Sequence, residues 1–399
     1  MNHVRLVACL LSICAAPSVW GQGLPHVSPE SLGLSPERLE RIGAVSQALV
    51  DEGKIVGALG LIARKGKIGY FETWGMQNRE KNQAMRPDTI FRIRSQTKAI
   101  VSTAIMMLFE EGKLRVTDPV SRFLPELKGL RVSDGEGGTV ATEREITIQD
   151  LLRHTSGLNY RTGGDKTLAE MITNLSKRPL RNQPGTQWHY GDLNAEVLGR
   201  VVEVVSGMPL DRFLQERILV PLKMFDTSFT VPKGKLNRFA ELYFRDNQGE
   251  LVPIPPAVSS RYHKTTYFSG GSGLVSTATD YLRFCQMFLN QGELEGVRLL
   301  GRKTVELMTM DHLGELELDW RRKGYGFGLG FAVIRDIARQ GTLSTPGLYD
   351  WWGGNGTHFW VDPKENMVGI YMIQIRMQGS RQQQFGHDFR ALCYQALVD

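Results

Sequence analysis

Residues 91–107 read FRIRSQTKAIVSTAIMM, a polar Ser-Gln-Thr-Lys cluster at the mouth of an apolar run without Pro or Gly. Ser95 and Lys98 stand three residues apart, so on a helix they share a face and the amine reaches the hydroxyl. A serine hydroxyl is a poor nucleophile until a neighbouring base takes its proton. Burying Lys98 would lower its pKa towards that task. Backbone N–H groups in the first turn of a helix would point at whatever Ser95 attacks. The chemistry on offer is acyl transfer through a serine. The plain alternative is a helix that simply begins with a polar turn. A chain this long should hold about one Ser-x-x-Lys by chance, and it holds one.

Other chemistries lack their residues. No Gly-x-Ser-x-Gly is present, which argues against a nucleophile elbow. No His-Glu-x-x-His or close Cys/His cluster occurs among the eight histidines, so no metal is implied. Gly270-Gly271-Ser272-Gly273 lacks the following lysine and helix start of a phosphate loop and reads as a tight turn. The net charge of +6 comes from scattered Lys and Arg, densest at Arg321-Arg322-Lys323, with no basic stripe interleaved with aromatics. Nucleic acid is therefore not an expected partner.

The elements that must position Ser95 can be outlined from pattern. Apolar content of 41% suits a globular protein with a large core. The first 21 residues stand apart: Arg5, the apolar LVACLLSICAA and a small-residue end at Val19-Trp20-Gly21 predict a cleavable secretory leader. Its apolar run is too short to span a bilayer, and Ile13 before Cys14 argues against lipidation. Secreted or periplasmic localisation follows, with no integral membrane segment in the mature chain. Cys285 and Cys393 would remain, with a disulfide allowed but not required.

Residues 36–52 have helical spacing, and IVGALGLIARKGKIGYFETWG reads as a hairpin about Lys65-Gly66-Lys67. From Ser95 to about Cys285 the pattern is mostly helical. After Tyr325 strands return in YGFGLGFAVIRD, GTHFWVDP and MVGIYMIQI, and a helix over about 382–397 closes the chain. Antiparallel hairpins rather than βαβ units predict an α+β fold, its two ends sharing one sheet. Residues 22–90 with 310–399 would form the sheet domain, and 91–309 a mainly helical domain carrying the nucleophile, with a cleft between them.

SQTK at a helix start resembles the first motif of the serine β-lactamase and penicillin-binding superfamily. GKLRVTDPVSRFLPEL, ITIQDLLRHTSGL, PGTQWHYGDLNAEVLGRVVEVVSG and GYGFGLGF follow in the order of the class C β-lactamase-related family. The resemblance covers roughly residues 30–395 and implies that family's fold: an antiparallel sheet flanked by helices with a large, mostly helical insertion. It also implies Tyr190 as general base working with Lys98. The family's Tyr-x-Asn motif becomes Tyr190-Gly191-Asp192, unless Asn194 takes the third place. A carboxylate at Asp192 would hold Lys98 as an ammonium and make it a poor base. Its charge would then favour ionised Tyr190 as the proton acceptor.

The family's third motif, Lys-Thr-Gly or His-x-Gly on a strand lining the site, is matched by Trp352-Gly353-Gly354. Trp352 would line the pocket with an apolar face and one N–H donor. A carboxylate substrate would thereby lose a charge-assisted contact of about 1.5–3 kcal/mol, whereas an uncharged acyl ester would lose nothing. Gly353 and Gly354 would let the backbone approach the substrate. By resemblance, the oxyanion hole comprises the amides of Ser95 and Asn355. The pattern is similar to the family VIII carboxylesterases, implying ester hydrolysis with no cofactor and a small acyl ester as partner. A β-lactamase or D-Ala-D-Ala carboxypeptidase, or a silent cell-wall peptide binder, is the rival reading. His358, an even offset along the strand from Trp352, would either line the pocket or be a buried, hydrogen-bonded histidine. Tyr160, Trp188, Tyr349 and Trp351 could shape an acyl pocket, with core packing as the default. His154 reads as structural.

Overall fold

The computed structural model describes residues 23–159, 164–318, 323–376 and 381–399. The expected leader, Tyr160 and Arg321-Arg322 lie outside the described residues. Helix α1 (Pro36–Asp51) starts where Ser35 accepts a hydrogen bond from Arg38 N, with Pro36 in the first turn. Strands β1 (Gly57–Arg64) and β2 (Lys67–Asn78) pair antiparallel about Lys65 and Gly66. Both turn residues have positive φ, 52° and 74°. This is the handedness a two-residue hairpin needs. Every residue of β1 is buried, as a strand covered on both faces should be.

A short β3 (Gln83–Ala84) edges the sheet. The chain then runs through α2 (Thr97–Glu110), α3 (Asp192–Ser206) and α4 (Ala278–Leu289). It returns to the sheet as β4 (Tyr325–Phe327), β5 (Ala332–Ile334), β6 (Tyr349–Gly353), β7 (Thr357–Asp362) and β8 (Met367–Ile373), followed by α5 (Arg381–Tyr394). The strand order is β4-β5-β6-β7-β8-β1-β2-β3, so β8 meets β1 and the two ends of the chain complete one antiparallel sheet. The fold is the β-lactamase/transpeptidase-like α+β arrangement.

Alternation along β7 shows what covers each face. Phe359 packs on Tyr281 of α4, with ring centres 5.0 Å apart, whereas Trp360 packs on Phe389 of α5, 5.5 Å apart. One face thus carries α1 and α5, and the other carries α4. Helix α2 is buried from Thr97 to Leu108, and α3 packs against it. Such all-round burial explains its apolar, charge-free sequence between Lys98 and Glu110. Cys285 and Cys393 are both buried free thiols, and burial pushes their pKa up. No disulfide forms between them.

Candidate active site

Ser95 sits in a 3-10 turn, Arg94–Gln96, that leads into α2, rather than in the helix itself. Arg94 just before it has φ 49°, a left-handed conformation uncommon for a side-chain-bearing residue. The turn is fixed from several directions. Phe91–Arg92 pairs with Val275–Ser276, Tyr281 Oη donates to the Gln96 carbonyl at 3.0 Å, and Leu274 N donates to Thr97 Oγ1 at 3.2 Å. Backbone strain held by surrounding structure is a recurrent property of functional turns.

Lys98, one helical turn on, is 3% exposed. Its ammonium donates to Ser95 Oγ at 3.1 Å, Asp192 Oδ1 at 2.5 Å and the Gly271 carbonyl at 2.7 Å. Three acceptors around one nitrogen match the three donors of –NH3+, not a neutral amine offering its lone pair. Burial acts to lower the Lys98 pKa, but the Asp192 charge and Tyr190 outweigh it and raise the value. Burial likewise opposes ionisation of Asp192, and the Lys98 charge, with help from Arg94 and Arg261, holds its carboxyl below the usual range.

Asp192 occupies the third position of the Tyr190-Gly191-Asp192 motif. Asn194 is engaged elsewhere: its side chain accepts from Ser156 Oγ at 2.5 Å and donates to His154 Nδ1 at 2.9 Å. Tyr190 precedes α3 within an aromatic cage. The rings of His154 and Trp351 lie 4.8 and 4.9 Å away, and Trp188 stacks at 6.3 Å. The Lys98 nitrogen is 4.9 Å from the Tyr190 ring centre. His154 is buried and braces the tyrosine through packing.

The strand β6 corrects the sequence reading at one register position. Trp351, not Trp352, faces Tyr190, and its Nε1 donates to Tyr190 Oη at 3.2 Å. Trp352 points through the opposite face, where it stacks on His358 at 4.8 Å and meets His387 of α5 at 5.4 Å. Side chains alternate along a strand, so moving the motif by one residue sends every side chain to the other face. His358 is the cross-strand partner of Trp352 and goes with it. It is a core histidine, 1% exposed and 3.7 Å from Asp350. Burial lowers its pKa despite that carboxylate.

The same shift reassigns the glycines. A side chain at Gly353 would stand 2.4 Å from the Ile93 carbonyl oxygen. That glycine lets β6 approach the nucleophile turn, which is a different service from approaching substrate. Gly354 follows in the turn closed by the hydrogen bond from Gly356 N to Gly353 O, 2.9 Å. With Trp351 as the first motif residue, the amide three positions on belongs to Gly354, which is partly exposed. Asn355 is 4% exposed, and its carbonyl accepts from Ile375 N at 3.0 Å. Trp188 and Tyr349 both pack in the core, Trp188 at its partly exposed margin.

Two contributors escaped the sequence reading. Gly271 supplies a carbonyl to Lys98, and buried Glu196 holds the loop that carries it. Position was the available signal for Glu196, four residues after Asp192 on one helix face. Among the described residues, no group of three or more His, Cys, Asp or Glu could hold a metal ion. Among them, too, no helix is long and apolar enough to cross a membrane.

A serine whose hydroxyl meets a buried ammonium, on this sheet and helix framework, defines a serine hydrolase that works by acyl transfer. The beta-lactamase family model matches residues 43–389, and the chain belongs to that family. It is 33% identical over 376 residues to esterase EstB of Burkholderia gladioli, covering 85% of this chain and 91% of that one. It is 27% identical over 407 residues to a putative D-alanyl-D-alanine carboxypeptidase of Escherichia coli K12, covering 93% and 90%. The solved structure of EstCE1, described as a hydrolase with promiscuous acyltransferase activity, superposes with a TM-score of 0.76 at 28% identity. That match covers 90% of this chain and 99% of EstCE1.

Proposed function

We propose that this protein hydrolyses carboxylic esters through an acyl-enzyme on Ser95. Ser95 Oγ attacks the ester carbonyl while the Tyr190 oxygen receives its proton. The tetrahedral oxyanion is held by the amides of Ser95 and Gly354. Collapse expels the alcohol, to which Tyr190 returns the proton. Water then attacks the Ser95 ester, its proton passes to Tyr190, and Ser95 leaves with that proton as the free acid forms. Lys98 remains an ammonium throughout and stabilises charge as the proton moves, because Asp192 and the Gly271 carbonyl already hold it in that form.

The observation that carries the choice of ester is Trp351. In the position where the peptide- and lactam-cleaving branches place a cation, this chain presents an indole whose N–H is directed at Tyr190. An acyl group without a carboxylate loses nothing there. EstB and EstCE1 support the reading by their descriptions as esterase and hydrolase. Peptidase or lactamase activity is the second reading, favoured by the E. coli relative.

A panel of p-nitrophenyl butyrate, a chromogenic cephalosporin and a D-Ala-D-Ala peptide, run on wild type and Ser95→Ala, tests it. The ester should exceed the anionic substrates in kcat/KM by at least about tenfold, as expected for one lost charge-assisted contact. Faster cephalosporin turnover would move the assignment to lactamase. Export with cleavage of the leader belongs to the same proposal. A mature N-terminus near residue 22 in secreted material supports it, and an intact Met1 in such material overturns it.

A further inference from the structure

We propose that Glu196 is a positioning residue for Lys98, acting through the loop Ser269–Gly271. The inference rests on the serine mechanism above and deepens it. Glu196 is 2% exposed and stands one turn beyond Asp192 on α3. Its carboxylate accepts from Ser269 Oγ at 2.5 Å and from Gly270 N at 2.9 Å. The loop is thereby drawn tightly against the helix. A side chain at Gly270 would stand 2.3 Å from the Ala195 carbonyl oxygen, and one at Gly271 would stand 3.0 Å from Asp192 and 3.1 Å from Glu196. The next carbonyl in that loop, Gly271 O, is the third acceptor of the Lys98 ammonium.

Clamping the loop therefore sets where the ammonium sits relative to Ser95. A carboxylate buried here without serving the clamp would be costly, since burial of a charge needs compensating hydrogen bonds. The charged and titratable groups facing it are Asp192 on its own helix, Lys98 from α2 and Tyr267 from the preceding loop segment. Burial, chiefly, and the neighbouring Asp192 push the Glu196 carboxyl up to about 7, against the hydrogen bond from Ser269 and the charge of Lys98. The ionised form makes the stronger, charge-assisted bonds to Ser269 and Gly270. Turnover should therefore rise as pH passes through the region of 7.

The test compares steady-state p-nitrophenyl butyrate hydrolysis by wild type, Glu196→Gln, Ser269→Ala and Ser95→Ala across pH. Glu196→Gln cannot ionise and, with its amide oxygen turned to Gly270 N, presents an N–H to Ser269 Oγ where the carboxylate accepted. Its kcat should fall about tenfold with KM nearly unchanged, the pattern of a misplaced catalytic group, and the limb near pH 7 should vanish. Ser269→Ala removes one donor to the carboxylate, so the limb should move to higher pH with a smaller loss of kcat. This milder variant keeps the test decisive if Glu196→Gln does not fold. An unchanged limb and kcat in the folded variants would overturn the role of Glu196 while leaving the serine mechanism standing. Retained turnover in Ser95→Ala would instead overturn the mechanism on which the inference rests.

Discussion

Two buried ion pairs lie on opposite sides of β6, and their chemistry is similar while their surroundings are not. Behind the strand, Arg390 and Asp350 meet at 2.8 Å with both side chains 0% exposed. Tyr325 Oη donates to the same carboxylate at 3.2 Å, and His358 lies beside it. In front of the strand, the Lys98 side chain is 4% exposed while that of its partner Asp192 is 44% exposed, and the third group at the ammonium is the Ser95 hydroxyl. Both pairs bear a desolvation cost. The sealed pair joins α5 to the sheet and holds β6 in register. The open pair keeps a charge poised beside a nucleophile that a substrate can reach. An ion pair does chemistry when one of its acceptors is itself reactive and one side stays accessible.

The front pair should respond through rate. Tyr190→Phe should lower kcat about 10²–10⁴-fold, the range for a lost proton-transfer group, with Lys98→Ala similarly impaired. Near-normal turnover in Tyr190→Phe alongside an inactive Lys98→Ala would transfer the base role to Lys98.

The back pair should respond through stability. Asp350→Ala leaves Arg390 buried without its counter-charge, and urea unfolding should show a loss of about 3–5 kcal/mol. Turnover per folded molecule should be nearly wild type. A large loss of rate in folded Asp350→Ala would dissolve the contrast between the two sides.

The back face also predicts an acid weakness. Burial lowers the pKa of His358 in the fold, so as pH falls through about 6.5 the unfolded chain binds the proton first. Stability is therefore lost on the acid side of that value. The slope of unfolding free energy between pH 7 and 5 should be shallower in His358→Gln, and an identical slope would assign the effect to another group.

At the front, removing the Asp192 counter-charge leaves only Tyr190 to oppose the effect of burial on Lys98. Its raised value, which keeps the pair's contribution intact until high pH, should be lost in Asp192→Asn. The alkaline limb of kcat/KM should then move to lower pH. A limb that stays in place would show that Asp192 does not hold the ammonium.

The smallest expected effect distinguishes two adjacent tryptophans. Trp351→Phe removes the indole N–H from Tyr190 and should lower kcat several-fold, the scale of one hydrogen bond of about 0.5–1.5 kcal/mol. Trp352→Phe should alter thermal stability and leave kcat alone. The reverse pattern would restore the register read from sequence.

That pair also marks the limit of what the sequence discloses. Ser95 and Lys98 were legible because helical spacing is local, and Asp192 because its charge has one direct consequence for a nearby lysine. The hairpin about Lys65-Gly66 was legible from its turn residues. Two tryptophans in succession on a strand, by contrast, are equivalent in pattern until a neighbouring strand fixes which face each takes. The pairing of Trp352 with His358 does so, and it is the reason the proposed mechanism takes its second oxyanion amide from Gly354 rather than Asn355. Glu196 was hidden for a related reason. Its partners at Ser269 and Gly270 are distant in sequence, and a lone glutamate on a helix reads as a solvated face.

The central claim is that Ser95 carries the acyl group. Mass spectrometry of rapidly quenched wild-type enzyme with p-nitrophenyl butyrate tests it most directly. One butyryl adduct should appear, located by peptide mapping to Ser95 and absent from Ser95→Ala. An adduct on another residue, or full turnover with no adduct on Ser95 at any quench time, would contradict it.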